Sequence, residues 1–273
     1  MDKYSVLMSL YIKEKPKNLD LAIASMINQT IKPDEIVIVK DGPITNELQE
    51  VLDNYNRDYP GMINIVGYDE NRGLGLALNY GLEHCRNELV ARMDTDDVSR
   101  TDRCEQQLKI FAEHPSLDIV GGDIAEFVTN PTETVAYRKV PVQHKDIVDY
   151  MRTRCAFNHV SVMFKKSAIV AVGGYMDWFW NEDYYLWIRM WIKGCCFANT
   201  GSVLVDVRTG KDMYFRRGGI KYFKSEKGLQ DLMLEKNLIN RGTYFANVMK
   251  RLIVQVLLPN SIRGWVFRKF ARG

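Results

Sequence analysis

The stretch EIVIVKDG, residues 35–42, decides the fold, because it is an unbroken β-branched run that ends in Asp-Gly. A strand that is apolar on both faces is typical of the interior of a parallel sheet covered by helices. The neighbouring stretches alternate between the two patterns, with strands predicted at 4–11, 63–67 and 89–93 and helices at 19–29, 45–55 and 75–84. The order β-α-β-α-β-α-β predicts an α/β fold whose central sheet is mainly parallel, Rossmann-like and flanked by helices.

The second half of the chain alternates less regularly. Helices are predicted from Thr101 to about Glu113 and at 183–193, and strands at 117–128, 158–164 and 197–207. The 273 residues contain no internal repeat and no low-complexity linker. The sequence therefore favours two halves that share one sheet over two separable domains.

Charge is distributed unevenly along the chain. Residues 208–273 contain 15 Lys or Arg against 4 Asp or Glu, whereas the rest contains 22 against 30, within a net charge of only +3. An acidic body that ends in a basic segment suits a phosphate-rich partner, either an anionic membrane surface or nucleic acid. The alternative interpretation is a solvated helical face.

The last segment combines basic charge with a helical apolar pattern. Its apolar residues recur at helical spacing: Phe245, Val248, Met249, Leu252, Ile253 and Val256. The other side carries Asn247, Lys250, Arg251 and Gln255. Pro259 is predicted to end this helix, and a short basic, aromatic helix is predicted from Ser261. Such a composition is typical of a helix lying in a membrane interface, and the alternative is a pair of terminal helices packed on the core.

Cysteines and the chain termini bear on the compartment. The five cysteines are odd in number and show no CxxC spacing, which fits neither a zinc site nor a disulfide framework. The N-terminus shows no signal-peptide pattern. The apolar run 252–258 is far shorter than the roughly 20 residues that span a bilayer. We expect a protein of the reducing cytosol, peripheral on the inner face of the cell membrane.

Acidic residues follow two of the predicted strands. Asp41 follows the second, and Asp94, Asp96 and Asp97 follow the fourth, at the strand ends where ligands collect in an open parallel sheet. Three carboxylates so close together repel one another unless a cation compensates, and oxygen ligands suit Mg²⁺ or Mn²⁺. The alternative is a solvated Asp-rich turn.

A second acidic pair, Glu182-Asp183, lies among aromatic residues just before a predicted helix. Carboxylates in such surroundings can have a raised pKa and serve as a general base for a hydroxyl. The alternative is a first-turn acid that stabilises the helix N-terminus. The loop 71–75 does not complete the dinucleotide fingerprint, because Leu78 replaces its third glycine, so a nicotinamide enzyme is disfavoured.

The joint pattern resembles glycosyltransferase family 2. It consists of Ser9-Leu10-Tyr11, Asn28-Gln29-Thr30, residues 33–42, Asn71-Arg72-Gly73, residues 93–97 and Asn181-Glu182-Asp183. The resemblance covers residues 4–225, and it is strongest to bacterial members that build capsular and O-antigen polysaccharides. It implies a GT-A fold, with a catalytic domain at 1–215 and a basic amphipathic helical extension at 216–273. Within the domain, 1–98 would bind the nucleotide-sugar and 99–215 the acceptor.

The resemblance also implies roles on the donor side. Asp41 would contact the uracil or ribose of a UDP-sugar, with Tyr11 and Glu14 nearby. Arg72 and Arg92 would line the nucleotide pocket. The loop at Arg216 and Arg217 would close over the diphosphate, since arginine suits phosphate.

The reaction centre follows from the same resemblance. Asp94 and Asp96 would form the DxD element, with Asp94 toward the ribose and Asp96 on a Mn²⁺ or Mg²⁺ ion, while Asp97 would reach the donor sugar. Asp183 would be the catalytic base. On the acceptor side we expect Glu182, His159 and Trp180, although for His159 a hydrogen-bonded structural role is slightly favoured over an acceptor or metal contact.

The implied activity is an inverting, metal-dependent transfer of one hexose or N-acetylhexosamine. The donor would be a UDP-sugar, and the acceptor a hydroxyl of a polyprenyl-diphosphate-linked saccharide at an anionic membrane surface. No processive-synthase signature follows residue 200, which favours transfer of a single sugar. A nucleotidyltransferase is the alternative enzyme, but residues 12–16 lack the glycine-rich loop that such enzymes carry. A nucleic-acid binder is disfavoured because no base-stacking or groove-reading motif is present.

Overall fold

The first four strands form the parallel part of the sheet. The computed structural model describes residues 3–210 and 218–258. The strands pair in the order β3-β2-β1-β4, all in parallel: β1 (Tyr4–Leu10), β2 (Glu35–Asp41), β3 (Ile63–Tyr68) and β4 (Leu89–Asp94). They are connected by α1 (Pro16–Ile27), α2 (Asn46–Asp58) and α3 (Leu74–His84). This confirms the predicted α/β fold.

The second half extends the same sheet with mixed pairing. Its strands are β5 (Val98–Ser99), β6 (Ile119–Phe127), β7 (Thr134–Arg138), β8 (Met163–Lys165) and β9 (Phe197–Arg208). The order continues β4-β8-β6-β9-β5, with β7 on β6. Its helices are α4 (Arg103–Glu113), α5 (His144–Met151), α6 (Lys166–Ala171) and α7 (Glu182–Lys193). β8 is antiparallel to both neighbours, whereas β6 and β9 are parallel.

The sheet has a hydrophobic core on each face, because side chains of the buried strands alternate between the two sides. On one face Leu7 and Val39 pack with α3 and α7. On the other face Met8 and Ile38 pack with α1, α2 and α4. Layers of helix on both faces leave the carboxyl ends of the parallel strands as the open edge of the fold.

The strand predicted at 158–164 is only partly correct. Residues His159–Ser161 form a 3₁₀ turn, and the strand begins at Met163. Asn158 Nδ2 donates to the Gly122 carbonyl at 2.8 Å, and Ser161 Oγ donates to the Asn158 carbonyl at 2.9 Å. Such side-chain bonds to the backbone compete with the ladder of a strand.

Two further helices follow the sheet, α8 (Ile220–Glu235) and α9 (Arg241–Arg251), and α9 continues as a π-helix at Leu252–Leu257. The segment predicted from Ser261 lies outside the described residues. No helix within the described part of the chain has the length and apolarity needed to cross a bilayer.

Candidate active site

The acidic cluster forms at the carboxyl end of β4. Asp94 ends the strand, and Asp96 and Asp97 lie in the turn before β5. One carboxylate oxygen from each lies within 4.8 Å of the others. Three carboxylates at this spacing match the oxygen donors that Mg²⁺ and Mn²⁺ prefer. The sequence prediction that these side chains form one group agrees with this geometry.

Electrostatics support a cation at this cluster. Burial, together with the charges of Asp94 and Glu14, raises the pKa of Asp96 to about 7. Burial and the charge of Asp96 also raise the pKa of Asp97 well above its usual range. These carboxylates repel one another when all are ionised, and a divalent cation would relieve that repulsion. The residues present therefore fit the metal that the family resemblance implies.

The same repulsion predicts a pH-dependent effect on stability. Because the folded-state pKa of Asp96 exceeds its ordinary value, the ionised carboxylate destabilises the metal-free fold above pH 7, and protonation relieves this as the pH falls. In EDTA we expect Asp96→Asn to have a higher Tm than wild type at pH 8, and the difference to shrink by pH 5. Thermal melts at the two pH values measure it, with Glu105→Gln, an exposed acid on α4, as control. If the difference in Tm between Asp96→Asn and wild type did not change with pH, the raised pKa of Asp96 would be refuted.

Arg92 supplies a buried positive charge beneath the cluster. Its side chain is 2% exposed, and its Nη1 donates to Asp94 Oδ2 at 2.5 Å. Its carbonyl accepts from Arg103 Nη2 at 2.7 Å. Arg92 thus lies behind Asp94, where it orients that carboxylate from within the core. Its direct contact with a nucleotide remains a prediction.

Asp97 is buried and hydrogen-bonded to the end of β9. Its Oδ1 accepts from the Arg208 amide at 2.7 Å, and Arg208 Nε donates to the Asp96 carbonyl at 3.1 Å. Arg208 therefore holds the acidic turn in place from the neighbouring strand. Arg208 was not among the predicted site residues, although its position at the end of a predicted strand was a usable signal.

Asp41 organises the loop that precedes α3. Its carboxylate accepts from the amides of Arg72 and Gly73 at 2.7 and 3.1 Å, from Asn71 Nδ2 at 2.9 Å and from the Tyr68 hydroxyl at 2.9 Å. Asp41 thereby fixes the loop over the end of β2. A contact of its carboxylate with uracil or ribose remains a prediction.

Gly42, the next residue, has φ +84°, and a Cβ there would lie 2.7 Å from the amide nitrogen of Asn71. Only glycine combines this conformation with this close approach. The turn at the end of β2 therefore requires glycine after Asp41, whatever ligand the site binds.

Tyr11, Glu14 and Arg72 lie on the loops at the same edge of the sheet. Tyr11 is 42% exposed just past β1. Glu14 accepts from Thr95 Oγ1 at 3.3 Å, which ties the first loop to the acidic turn. The exposed Arg72 guanidinium lies 4.6 Å from the centre of the Tyr68 ring. The predicted donor residues thus gather at one edge, and their individual roles remain predictions.

The second acidic pair lies in the first turn of α7. Burial and the charge of Asp183 raise the pKa of Glu182 to about 7, and Asp94 and Arg92 also influence it. Asp183 Oδ2 lies 3.9 Å from Cys155 Sγ. The charges of Asp94 and Arg92 reach Glu182, so the start of α7 lies on the same side of the protein as the acidic cluster. That the pair and the cluster act in one site remains a prediction.

His159 is paired with Tyr175 inside the protein. Its Nε2 lies 2.9 Å from the Tyr175 hydroxyl. Burial and the nearby Arg92 charge lower the pKa of His159 well below its usual range, so the ring is neutral. These contacts fit the structural role considered for His159, and its contact with an acceptor remains a prediction.

The loop before Glu182 presents an exposed aromatic pair. Trp180 is 49% exposed and has φ +55°, which is unusual for a bulky residue. Its ring stacks on Phe179 with centroids 4.5 Å apart. Backbone strain of this kind persists where surrounding structure enforces it.

Ser225 of α8 holds this loop in place, which the sequence analysis did not predict. Its carbonyl accepts from Trp178 Nε1 at 3.1 Å, and its Oγ donates to the Phe179 carbonyl at 2.7 Å. Asn181 Nδ2 donates to the same Oγ at 3.1 Å. The C-terminal helices thus support the start of α7. Arg216 and Arg217, predicted to close over a diphosphate, lie outside the described residues.

Comparison with known proteins gives consistent matches. The family model described as Glycosyl transferase family 2 matches residues 5–183. The chain is 40% identical over 272 residues to the UDP-Gal:alpha-D-GlcNAc-diphosphoundecaprenol beta-1,3-galactosyltransferase of Escherichia coli, covering 99% of this chain and 97% of that protein. It is 37% identical over 274 residues to the amylovoran biosynthesis glycosyltransferase AmsE of Erwinia amylovora, covering 99% and 100%.

A solved structure shows the same fold. The mannosyltransferase PcManGT from Pyrobaculum calidifontis, in complex with GDP-Man and Mn²⁺, superposes with a TM-score of 0.65. The match covers 98% of this chain and 76% of that one, at 15% identity. The GT-A architecture implied by the sequence is confirmed by this match.

Proposed function

Because the chain belongs to glycosyltransferase family 2, an inverting hexosyltransferase family, we propose that it moves one hexose or N-acetylhexosamine from a UDP-sugar to a lipid-diphosphate-linked saccharide. The product would extend a bacterial surface polysaccharide. One observation carries the proposal: Asp94, Asp96 and Asp97 form a carboxylate cluster whose charge reaches Glu182, the neighbour of Asp183. A site with both groups can hold a diphosphate and deprotonate a hydroxyl.

On the donor side, the acidic cluster would hold Mn²⁺ or Mg²⁺ through Asp96 and Asp94. When bound, the ion neutralises charge on the departing diphosphate. Arg92 keeps the Asp94 carboxylate oriented through its 2.5 Å bond, and Arg208 keeps the turn in place. Tyr11, with its exposed ring, and the loop held by Asp41 would receive the nucleoside.

On the acceptor side, Asp183 would accept the proton of the attacking hydroxyl. A base on the face opposite the leaving group gives in-line displacement, which inverts the anomeric centre. Cys155 and the N-terminus of α7 position this carboxylate. The exposed ring of Trp180, two residues before Glu182, would stack on the acceptor sugar.

The acceptor's lipid also suggests where the protein acts. The E. coli relative acts on a diphosphoundecaprenol-linked sugar. We therefore propose that this protein works peripherally at the inner face of the cell membrane, with the basic C-terminal helices against its anionic surface. The net charge of +11 over residues 208–273 supports this placement.

The test of the proposed function is UDP release by the purified protein. UDP-galactose, UDP-glucose, UDP-GlcNAc and UDP-GalNAc are each incubated with a synthetic lipid-diphosphate GlcNAc acceptor, in Mn²⁺ and in EDTA. We expect acceptor-dependent release from one donor, abolished by EDTA. Absence of release and of UDP binding with every donor would contradict the proposal.

A further inference from the structure

Helix α9 and its π-helical continuation bury polar residues and expose apolar ones, which is unusual for an amphipathic helix. Its polar residues Asn247, Arg251 and Gln255 are buried, at 5 to 9% exposure. Helices of soluble proteins ordinarily bury the apolar side and expose the polar one. Here three of the four polar residues face the protein body, and Lys250 is exposed.

Hydrogen bonds explain this orientation. Asn247 Nδ2 donates to Gln230 Oε1 at 2.8 Å and to the Arg152 carbonyl at 2.9 Å. Arg251 pairs with Glu226 at 2.8 Å, and its Nη2 donates to the Thr153 carbonyl at 2.7 Å. Rotating the helix to bury its apolar side would leave the Glu226 carboxylate without Arg251 in a partly buried site, which is costly.

Three large apolar side chains of the helix are exposed, and its other large apolar residues are half-buried. Phe245, Ile253 and Leu257 are 66%, 45% and 66% exposed, and Ile220 at the start of α8 is 55% exposed. The Gly219 amide donates to the Gln255 carbonyl at 2.8 Å, which brings the start of α8 beside the π-helix. We call these four side chains the apolar patch. Exposed large apolar side chains gathered on neighbouring elements are a feature of interaction sites.

Positively charged residues lie on the same two helices as the apolar patch. Lys221, Lys224 and Lys250 are exposed, and among the described residues none of them forms an ion pair. The sequence that continues from the patch, residues 259–273, contains four Arg or Lys and no acid. Exposed apolar side chains and lysines without ion pairs on the same helices match the boundary between anionic headgroups and acyl chains.

We propose that the apolar patch inserts into the surface of an anionic bilayer and sets the orientation of the enzyme on it. This inference rests on the proposed function, which it deepens by naming the membrane-contacting side chains. Lipid is favoured over a second copy of the chain, because two copies meeting through this face would bring their uncompensated lysines together.

The patch borders the acceptor side of the site. Lys221 Nζ lies 4.0 Å from the centre of the Phe179 ring, and Phe179 stacks on Trp180, three residues before Asp183. Insertion of the patch would thus bring the aromatic pair to the depth of the lipid headgroups. A lipid-linked diphosphate would meet Lys221 at that depth.

The test is sedimentation of the full chain with phosphatidylcholine vesicles containing 0 or about 30% phosphatidylglycerol. We expect binding only to the anionic vesicles, and at least a tenfold loss for Phe245→Ser combined with Ile253→Ser and Leu257→Ser, since each buried apolar side chain contributes substantially. Lys224→Gln and Lys250→Gln should each lower binding about fivefold. The matched control is Val128→Ser with Val135→Ser and Tyr137→Ser, three side chains of similar exposure around β7.

Two further measurements distinguish a failure of this inference from a failure of the proposed function. They are UDP affinity and turnover of a water-soluble GlcNAc-diphosphate acceptor. Both should be unchanged in the patch variant, because its residues touch no part of the reaction centre. Undiminished vesicle binding by the patch variant would overturn the inference. The inference would also be overturned if wild type were a dimer, the variant a monomer, and the two bound vesicles equally. If the triple variant does not fold, the single Leu257→Ser variant carries the same test. Wild type that binds vesicles but turns over no acceptor contradicts the proposed function alone.

Discussion

Asp183→Asn is expected to lose sugar transfer while retaining UDP binding. Asparagine preserves the size of the side chain but cannot accept the proton of the attacking hydroxyl, and general-base catalysis typically contributes 10²- to 10⁴-fold. We expect turnover to fall by about 10³-fold. Single-turnover UDP release and calorimetric titration of UDP in Mn²⁺ measure the two properties separately.

Glu182→Gln is the matched control for this experiment. It lies next to Asp183 in the first turn of α7, and its pKa of about 7 means that much of it is protonated near neutral pH. Glutamine imitates that protonated form, so the loss should be much smaller than for Asp183→Asn. Full activity in Asp183→Asn, or an equal loss of turnover in both variants, would show that Asp183 is not the catalytic base.

The order of strands and helices in the first half was predictable because local pattern and tertiary context agree there. The run at 35–42 is buried on both faces as β2, and the Asp-rich turn follows β4 as expected. Parallel topology then gathers the strand ends at one edge, so Asp41 and Asp94 lie at the same edge of the sheet, two strands apart.

The pattern at the C-terminus predicted a helix but not the face that it buries. The spacing of Phe245, Val248 and Ile253 describes an amphipathic helix, whose apolar side is expected to face the core or a membrane. Which of the two applies depends on Glu226 and Gln230 of α8, whose partners lie 17 to 29 residues away in the chain. Such long-range polar pairing leaves no periodic signal.

The contacts of Arg92 and Arg208 could not be predicted from the sequence, although Arg92 was expected near the nucleotide and Arg208 follows a predicted strand. Arg92 is a charged residue inside a strand, and its position behind Asp94 follows from the alternation of β4 together with burial by the second half of the sheet. Arg208 reaches the acidic turn because β9 crosses back beside β5. The Arg208 contact depends on pairing between strands far apart in the chain, whereas Arg92 and Asp94 are two residues apart in β4 and only the burial of Arg92 depends on distant strands.

Asp96→Asn is expected to abolish the metal-dependent part of UDP binding. In wild type, UDP affinity should be much higher in Mn²⁺ than in EDTA, because a cation held by the cluster contacts the diphosphate. The variant keeps the shape of the turn but removes one ligand charge. Its UDP affinity in Mn²⁺ should fall to the wild-type value in EDTA, with turnover reduced about 10³-fold.

Glu105→Gln separates this loss from a general effect of removing one negative charge. That side chain is exposed on α4, outside the cluster, so its variant should bind UDP and Mn²⁺ as wild type does. Unchanged Mn²⁺-dependent UDP affinity in Asp96→Asn would contradict the assignment of Asp96 as a ligand. The raised pKa of Asp96 adds a constraint, because a carboxylate that binds a cation must lose its proton. Mn²⁺-dependent binding should therefore weaken as the pH falls below about 7 in wild type, and the variant should show no such dependence.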